Sequence, residues 1–473
     1  MIPRTKSFTS TLHHRWFIGL LLLLLSGLSS VAIAQQPVAT PAAVGIPPIG
    51  NVAHTQRASI GATRVLSFTA NFTAYLPIVV APPPPLKALV TQTGFTLPQP
   101  LQGGQSSFCT WDWCTLSPRL YHEPLADGRT LVGWTDANGN GHISVINNTT
   151  LSQLAGFTGQ AVRGLTAQAD GTFAVLRWDV AAKTIWLSKH QASGAQLWQT
   201  NLNSTIAVPE FWLGDGRLTY GNGKYAAYFT VTGISGGYTG HYGDQLSYVN
   251  DSGVIQSNQG WNWGCSHSMA QLVSYHSQLN KFAPVCSSDC YNSKGILVND
   301  NQVIYPGDGN CGGMVSAQLG QIATADQSWK VIFNALNRPA AAGHGIGFAT
   351  LNGNFQSTYT WLTDTNGDYE RDPVMARLGN SLTSGRYLVG WTTTNNNVYY
   401  LGVIDDAGSF IRPAEEVSSA GITWSNRGDS FRTRADGTIS WVQGAANSTQ
   451  LRLFRFDGAS FLSTVASPQD GQP

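Results

Sequence analysis

Short segments in which apolar and polar residues alternate recur along most of the chain. The clearest are residues 130–134, 173–178 and 387–391, which are rich in Leu, Val and Trp. A period of two is typical of strands, and no long stretch has the 3.6-residue spacing of an amphipathic helix. The pattern predicts an all-β protein with little helix.

A polar turn, often Asp-Gly, precedes these strands and recurs seven times. Clear copies lie near Gly128, Gly171, Gly216, Ser384 and Gly437, and blurred copies lie around Gln271 and Asp326. The first three copies are 43 and 45 residues apart, and a period of roughly 40 to 55 residues with short strands is typical of one propeller blade per repeat. The repeats therefore predict a seven-bladed β-propeller over residues 106–466. A pair of β-sandwiches would account for the strands but not for the repeat.

The first 34 residues have the pattern of a secretory signal peptide. Three basic residues precede the apolar run 16–25, and the small residues 32–34 resemble a cleavage site. A membrane anchor is the alternative, but the cleavage site favours removal of residues 1–34. No later segment has about 18 uninterrupted apolar residues. We therefore expect an exported protein with no membrane span in the mature chain.

Residues 35–105 differ from the rest in being rich in Pro. The tract 82–85 favours extended polyproline II, and only residues 74–80 resemble a strand. We interpret 35–105 as a Pro-rich linker or stalk preceding the propeller. The alternative is that one strand from this region pairs with the last blade and closes the ring.

Charge and composition narrow the classes of partner. Three of the 27 basic residues and none of the 26 acidic residues lie in residues 1–34, so the remainder has a formal net charge of −2 and contains no basic block. Nucleic acid needs clustered Lys and Arg, and we exclude it as a partner. Only 11% of residues are charged, whereas the chain has 51 Gly and 15 Trp. This composition suits an extracellular all-β fold that contacts a polysaccharide or a cell-surface glycan, and we expect a monomer.

Six cysteines in an exported chain indicate disulfides. Cys109 and Cys114 are close enough in sequence for a local bridge. The other four, together with His267, allow two interpretations. Cys and His are the ligands that zinc prefers, but export favours two disulfides over a zinc site. These four cysteines are Cys265, Cys286, Cys290 and Cys311.

A glycine-flanked pair, His241-Tyr242, is the strongest candidate for proton transfer. Histidine can act as a base near neutral pH, and tyrosine can act as an acid or a base if its pKa is shifted. A lyase acting on uronate sugars also needs a cation that neutralises the sugar carboxylate. Arg163, Arg177 and Arg338 are candidates. The alternative is that His241 and Tyr242 only pack within their loop.

The stretch 240–244, followed by Cys265-Ser266-His267-Ser268, resembles secreted bacterial seven-bladed propellers, including polysaccharide lyases of the ulvan lyase kind. The resemblance covers about 75 residues. It implies β-elimination on uronate-containing glycans, with His241 and Tyr242 as catalytic residues. It also implies a structural zinc ion held by His267, Cys286 and Cys290.

An acidic loop resembles the start of an EF-hand. Asp364, Asn366 and Asp368 alternate as calcium ligands do, but Met375 stands where the loop needs its final Glu. A partial calcium loop and an Asx-rich hairpin turn both remain open. A similar segment, 136–141, is interpreted as a turn.

Two pairs of tryptophans have two interpretations: their side chains either are buried between sheets or form a surface on which sugars stack. Trp111 and Trp113, and likewise Trp261 and Trp263, would share one face of a strand. We assign Trp261 and Trp263, with Arg177 and Arg338, to substrate binding. The leading hypothesis is a carbohydrate-directed propeller with lyase activity. The alternatives are a non-catalytic glycan-binding or cell-surface module and a structural surface protein.

Overall fold

The computed structural model describes residues 83–103, 119–209, 216–258, 265, 271–288, 295–300, 302–306, 317–336, 344–363, 370–393, 398–425 and 429–465. The predicted signal peptide, the strand-like segment 74–80 and the Cys109–Cys114 pair lie outside these residues. No helix within the described ranges has the length and apolar character that crossing a membrane requires.

The strands are numbered in chain order and group into blades that follow one another along the sequence. Strand β1 is Val90–Thr96. The first blade consists of β2 (Tyr121–Pro124), β3 (Thr130–Thr135), β4 (Gly141–Asn147) and β5 (Thr150–Phe157). The second consists of β6 (Gln160–Ala167), β7 (Phe173–Asp179), β8 (Thr184–His190) and β9 (Gln196–Asn201). The third consists of β10 (Ala207–Pro209), β11 (Gly216–Gly221), β12 (Lys224–Gly233), β13 (Tyr242–Asn250) and β14 (Ile255–Asn258).

The remaining blades follow the same order. The fourth consists of β15 (Gln271–His276), β16 (Lys281–Ser288), β17 (Gly295–Val298) and β18 (Gln302–Tyr305). The fifth consists of β19 (Ala317–Ala325), β20 (Ser328–Leu336), β21 (His344–Asn352) and β22 (Ser357–Trp361). The sixth consists of β23 (Glu370–Arg377), β24 (Arg386–Thr393), β25 (Val398–Asp405) and β26 (Phe410–Glu416). The seventh contains β27 (Arg432–Thr433), β28 (Ile439–Gly444) and β29 (Gln450–Phe456).

Helix is scarce among the described residues, as predicted. There is one α-helix, α1 (Gly458–Val465), and four single 3₁₀ turns. The turns are Leu86–Leu89, Gly236–Tyr238, Leu382–Ser384 and Ser418–Ala420.

The seven sheets form a closed ring, which confirms the predicted seven-bladed propeller. Every sheet is antiparallel and follows chain order from the axis outward, except that β10 and β11 both pair with β12 in the third blade and β1 lies outside β29 in the seventh. The first strands contact one another in sequence, from β2 through β6, β11, β15, β19 and β23 to β27, and β27 contacts β2 again. These first strands therefore surround the central axis.

Strand β1 closes the ring. It pairs antiparallel with β29 from Val90 opposite Phe456 to Thr96 opposite Gln450, and so forms the outer strand of the seventh blade. Leu86 is fully buried in the same core. The propeller therefore begins before residue 106, and the predicted linker boundary at residue 105 is corrected. A strand from this region does close the ring, which was the alternative to a free stalk.

Each blade is buried on both faces because it packs between two neighbours. In β3, every residue is buried, and Leu131 packs with Val162 and Phe173 of the next blade. Trp134, Trp329 and Trp441 are fully buried between sheets. Burial on both faces explains why the strands contain nearly continuous apolar and aromatic runs.

The two faces of the ring differ in their connections. On one face, which we call the short-turn face, tight turns join the first to the second and the third to the fourth strand of each blade. Gly128, Gly171 and Gly437 occupy these turns with φ of 88°, 84° and 79°. Glycine adopts this left-handed conformation without steric cost, which accounts for the repeated Asp-Gly signal. The opposite face is the long-loop face.

Two matching polar triads join neighbouring blades near the short-turn face. In each, an Asp from a turn between third and fourth strands accepts from a Tyr of its own blade and pairs with a Lys of the preceding blade. The distances are 3.2 Å for Tyr225–Asp251, 2.7 Å for Lys189–Asp251, 3.0 Å for Tyr387–Asp406 and 3.1 Å for Lys330–Asp406. The triads connect blade 2 to blade 3 and blade 5 to blade 6.

Removal of β1 should open the ring. A chain that starts after Leu97 lacks β1. It leaves the β29 edge unpaired and uncovers the core that Phe95 covers, so we expect a much lower melting temperature and aggregation. Thermal denaturation and light scattering measure both effects. A chain that starts at Pro83 retains every described contact and is the matched control. Equal stability of the two truncated chains would contradict the ring-closing role of β1.

Candidate functional site

The predicted proton-transfer pair lies on the long-loop face of blade 3. His241 precedes β13, and Tyr242 begins it opposite Thr232 of β12. Both side chains are half-buried. Gly240 adopts a φ of 78°, and its N–H donates to the Gly233 carbonyl at 2.8 Å. This tight connection presents two adjacent titratable side chains at the end of a rigid strand pair.

Most of the other predicted site residues lie outside the described residues. They are Arg338, Trp261, Trp263, His267, Cys290, Asp364, Asn366 and Asp368. The calcium loop and the tryptophan platform therefore remain predictions. Of the predicted set, the structure describes His241, Tyr242, Arg177 and Cys286.

Cys286 does not fit the zinc ligand implied by the resemblance. It forms a disulfide with Cys265, with the two Cα atoms 6.2 Å apart. A disulfide sulfur is not a thiolate, and zinc needs a thiolate. The bridge is one of the disulfides expected for an exported protein, and it connects β16 to the segment between β14 and β15. This geometry favours the disulfide interpretation of Cys286, and the zinc site stays a prediction.

A buried carboxylate braces this disulfide. Asp244 is fully buried. It accepts from the Tyr228 hydroxyl and, at 3.1 Å, from the backbone N–H of Cys265. Burial, followed by the Asp244 charge, raises the pKa of Tyr228 well above its ordinary value, so Tyr228 stays protonated and donates. The cluster fixes the position of β13, which begins with Tyr242.

Arg177 lies in a pocket between blades 1 and 2. It is the fifth residue of β7, on the face that turns towards blade 1, and its residue exposure is 4%. The pocket is open to solvent and has a volume of about 450 Å³. Its walls combine amide, hydroxyl, imidazole, guanidinium and aromatic groups. They include Phe157, Thr158, Gln160, Arg177, His190 and Gln196.

The Arg177 guanidinium is held by neutral partners. Its Nη1 donates to Gln160 Oε1 at 2.6 Å and its Nη2 to Gln199 Oε1 at 3.1 Å. The guanidinium carbon stacks 4.4 Å from the centre of the Phe157 ring. Within the described residues no carboxylate contacts Arg177, and its buried Nε has no hydrogen-bond partner. Asp179 accepts from Gln160 Nε2 at 3.4 Å and is linked to Arg177 through that side chain.

This guanidinium is a fixed positive charge. Burial lowers the pKa of Arg177 to about 10, which still leaves it protonated at neutral pH. A buried cation without a counter-ion is unfavourable and is normally paired. The amide oxygens of Gln160 and Gln199 orient the guanidinium, and each Nη uses only one of its two hydrogens in these bonds, which leaves donors for an anionic ligand.

His190 supplies a neutral wall to the same pocket. Its ring stacks on Phe173 with centroids 5.1 Å apart. Nδ1 lies 3.0 Å from the Gly194 carbonyl, and Nε2 lies 2.9 Å from Ser188 Oγ. Burial lowers the pKa of His190 to about 4. Arg177 is therefore the one charged side chain among the described residues that line this pocket at neutral pH.

A second polar cluster surrounds the central axis. Asp429 Oδ2 lies 3.2 Å from Arg217 Nε and 3.0 Å from Arg432 Nη2, and the same Nη2 lies 3.4 Å from Glu123 Oε1. These side chains come from blades 1, 3 and 7, and they line a cavity of about 140 Å³, which we call the axial cavity. Burial, followed by the Arg432 charge, lowers the pKa of the neighbouring His122 to about 3, so His122 is neutral.

Several of these groups were not predicted from sequence. Gln160, Gln199 and His190 belong to three different strands of blade 2, and they surround Arg177 only once these strands pair in one sheet. Arg217 and Asp429 are more than 200 residues apart. From the sequence, Arg177 was one of three Arg candidates for binding a sugar carboxylate.

Comparison with solved structures gives propellers of low similarity. An α-L-arabinanase of Penicillium chrysogenum, complexed with arabinobiose, matches with 10% identity over 78% of this chain and 99% of its own, with a TM-score of 0.41. The lectin BP39L of Burkholderia pseudomallei matches with 12% identity over 70% and 97% of the two chains, with a TM-score of 0.44.

A further match is the GH93 α-L-arabinofuranosidase of Fusarium graminearum, again with arabinobiose. Its identity is 8% over 76% of this chain and 97% of its own, with a TM-score of 0.41. No protein-family model and no curated protein sequence matches the chain. Similarity at this level does not assign an activity, so any function must be argued from the site itself.

The His190 environment predicts a pH dependence of stability. The unfolded chain binds a proton at a pKa of 6.5, and the folded chain only at about 4. The contribution of His190 to the free energy of unfolding is therefore fully present above the unfolded-state pKa. It is lost as the pH falls towards 4, and the loss is roughly 3 kcal/mol. His190→Gln should flatten the fall in unfolding free energy between these pH values in urea titrations. A slope equal to that of the unmodified protein would refute the assignment.

Proposed function

We propose that this protein is an exported, carbohydrate-directed propeller that binds acidic polysaccharides in the pocket between blades 1 and 2. The observation that supports the proposal is Arg177, a buried cation that lines a solvent-open pocket and is held by two neutral Gln amides. A carboxylate of a uronate sugar would supply the missing anion.

The rest of the pocket suits a sugar. Its volume of about 450 Å³ lies within the range of roughly 300 to 1,000 Å³ that is usual for small-molecule sites. Amides and hydroxyls can both donate to and accept from sugar hydroxyls, as Gln196 and Thr158 would. Planar guanidinium groups bind carboxylates with two parallel hydrogen bonds, and Arg177 is already oriented by its neighbours.

Lyase activity is the finer form of this proposal. In β-elimination on a uronate, a base removes the C5 proton and the C5–H electrons form the C4=C5 double bond. The C4–O bond breaks, and an acid protonates the leaving oxygen. His241 and Tyr242 are the candidates for these two proton transfers, because they are adjacent and half-buried on a strand end fixed by the Asp244 cluster. A non-catalytic glycan-binding module needs only the Arg177 pocket and is the second candidate.

Loss of the Arg177 charge should abolish selective binding. In affinity electrophoresis, polygalacturonate, alginate or ulvan should retard the unmodified protein, whereas neutral dextran should not. Arg177→Gln should weaken the retardation at least tenfold, because a charged hydrogen bond is worth about 1.5 to 3 kcal/mol. Arg129→Gln removes the same charge from an exposed turn and should have no effect. Equal retardation of the two variants would refute the proposal.

Elimination can be measured separately from binding. Incubation with the same uronate polysaccharides should produce a rise in ultraviolet absorbance from the unsaturated product. His241→Ala and Tyr242→Phe should each suppress the rise by two orders of magnitude or more while retardation in the gel persists. If no substrate gives a rise and retardation is normal, the lyase form is refuted and the glycan-binding module stands.

A further inference from the structure

The axial cavity shares no lining residue with the Arg177 pocket. Glu123, Thr166 and Ser274 line it from the halves of first strands nearer the short turns, and Arg217 lines it from the opposite end of β11. The side chains of Arg432 and Glu123 are 28% and 20% exposed, so this network reaches solvent. Neither the binding pocket nor the His241–Tyr242 pair uses these residues.

The charges of the described side chains that line the axial cavity cancel. Arg217 and Arg432 contribute two positive charges, Asp429 and Glu123 contribute two negative charges, and they pair with one another at 3.0 to 3.4 Å. His122, which borders the same network, is neutral. An anionic ligand would face the two carboxylates and a cationic one would face the two guanidinium groups, so the network favours a neutral ligand.

The polar groups of the cavity suit a ligand rich in hydroxyls. Carboxylates accept hydrogen bonds only, and guanidinium groups donate only. A hydroxyl both donates and accepts, so a diol can contact Glu123 and Arg432 at the same time. The hydroxyls of Thr166 and Ser274 add further partners on the cavity wall.

The cavity lining is also partly apolar. It contains Leu218, Val273 and Ile322 from three consecutive blades. A lining that combines apolar and polar groups suits a sugar ring, which has a C–H face and a hydroxyl edge. The volume of about 140 Å³ corresponds to roughly five water molecules and limits the ligand to about one ring.

We propose that the axial cavity is a second carbohydrate site, which binds one neutral sugar ring or a polyol of that size. Glu123 and Arg432 bind its hydroxyls, and Leu218, Val273 and Ile322 pack against its C–H face. The inference extends the proposed carbohydrate-directed function to a second ligand class and depends on it only for the choice of sugars as ligands.

The test is a titration of the complete mature protein with single sugars. Saturation-transfer NMR and calorimetry are run with glucose, galactose, mannose, xylose, rhamnose and glycerol, and with glucuronate and glucosamine as charged counterparts. At least one neutral ligand should bind, and its charged counterpart should bind at least tenfold more weakly. Glu123→Gln and Thr166→Val should each weaken binding of the neutral ligand, Glu123→Gln by tenfold or more.

Asp127→Asn is the matched control, because it removes a carboxylate from the adjoining turn, where Asp127 pairs with Arg129 outside the cavity. Melting temperatures of all variants identify any loss of fold, and Thr166→Val provides a second readout if Glu123→Gln unfolds. The inference is overturned if no neutral ligand binds, or if the cavity variants bind as tightly as Asp127→Asn. Arg177→Gln should leave binding of the neutral ligand in the axial cavity unchanged, although it weakens binding of acidic polysaccharide. The two proposals can therefore fail independently of each other.

Discussion

The architecture depends on the pairing of β1 with β29, because it joins the two ends of the described chain in one sheet. Without it, the seventh blade would lose its outer strand and the ring would have an open seam. Every blade needs a neighbour on each side to cover its apolar faces. The pockets described above lie either between blades or on the axis, so both exist only while the ring is closed.

The sequence was sufficient to predict the fold because a propeller repeats a local pattern. The Asp-Gly turns report the left-handed glycines at Gly128, Gly171 and Gly437, and the strands follow at fixed offsets. The closing strand was harder to place. Residues 90–96 carry only one fully apolar buried side chain, Phe95, because an outer strand has little to cover. Its partner is also more than 350 residues away.

The site was less predictable because its members are separated in sequence and meet only when strands pair. Arg177 was one of three Arg candidates, but its partners Gln160 and Gln199 have no signal of their own. The cysteines show the same limit in another form. Spacing alone allowed zinc or disulfides for Cys286, and only the approach of Cys265 to β16 decides between them. Axial residues such as Arg217 and Asp429 meet through ring closure, which no local pattern encodes.

The inner edge of blade 3 shows how such a ring can acquire new chemistry. Both β10 and β11 pair with β12, with Pro209 opposite Val231 and Gly216 opposite Phe229. A step of two residues along β12, from Val231 to Phe229, thus corresponds to a step of seven residues, from Pro209 to Gly216, along the strands that pair with it. The sheet absorbs the extra length without a change of register on either side. The length and sequence of the connection between β10 and β11 can therefore change in evolution while the other blades keep their structure. Such a change has little structural cost.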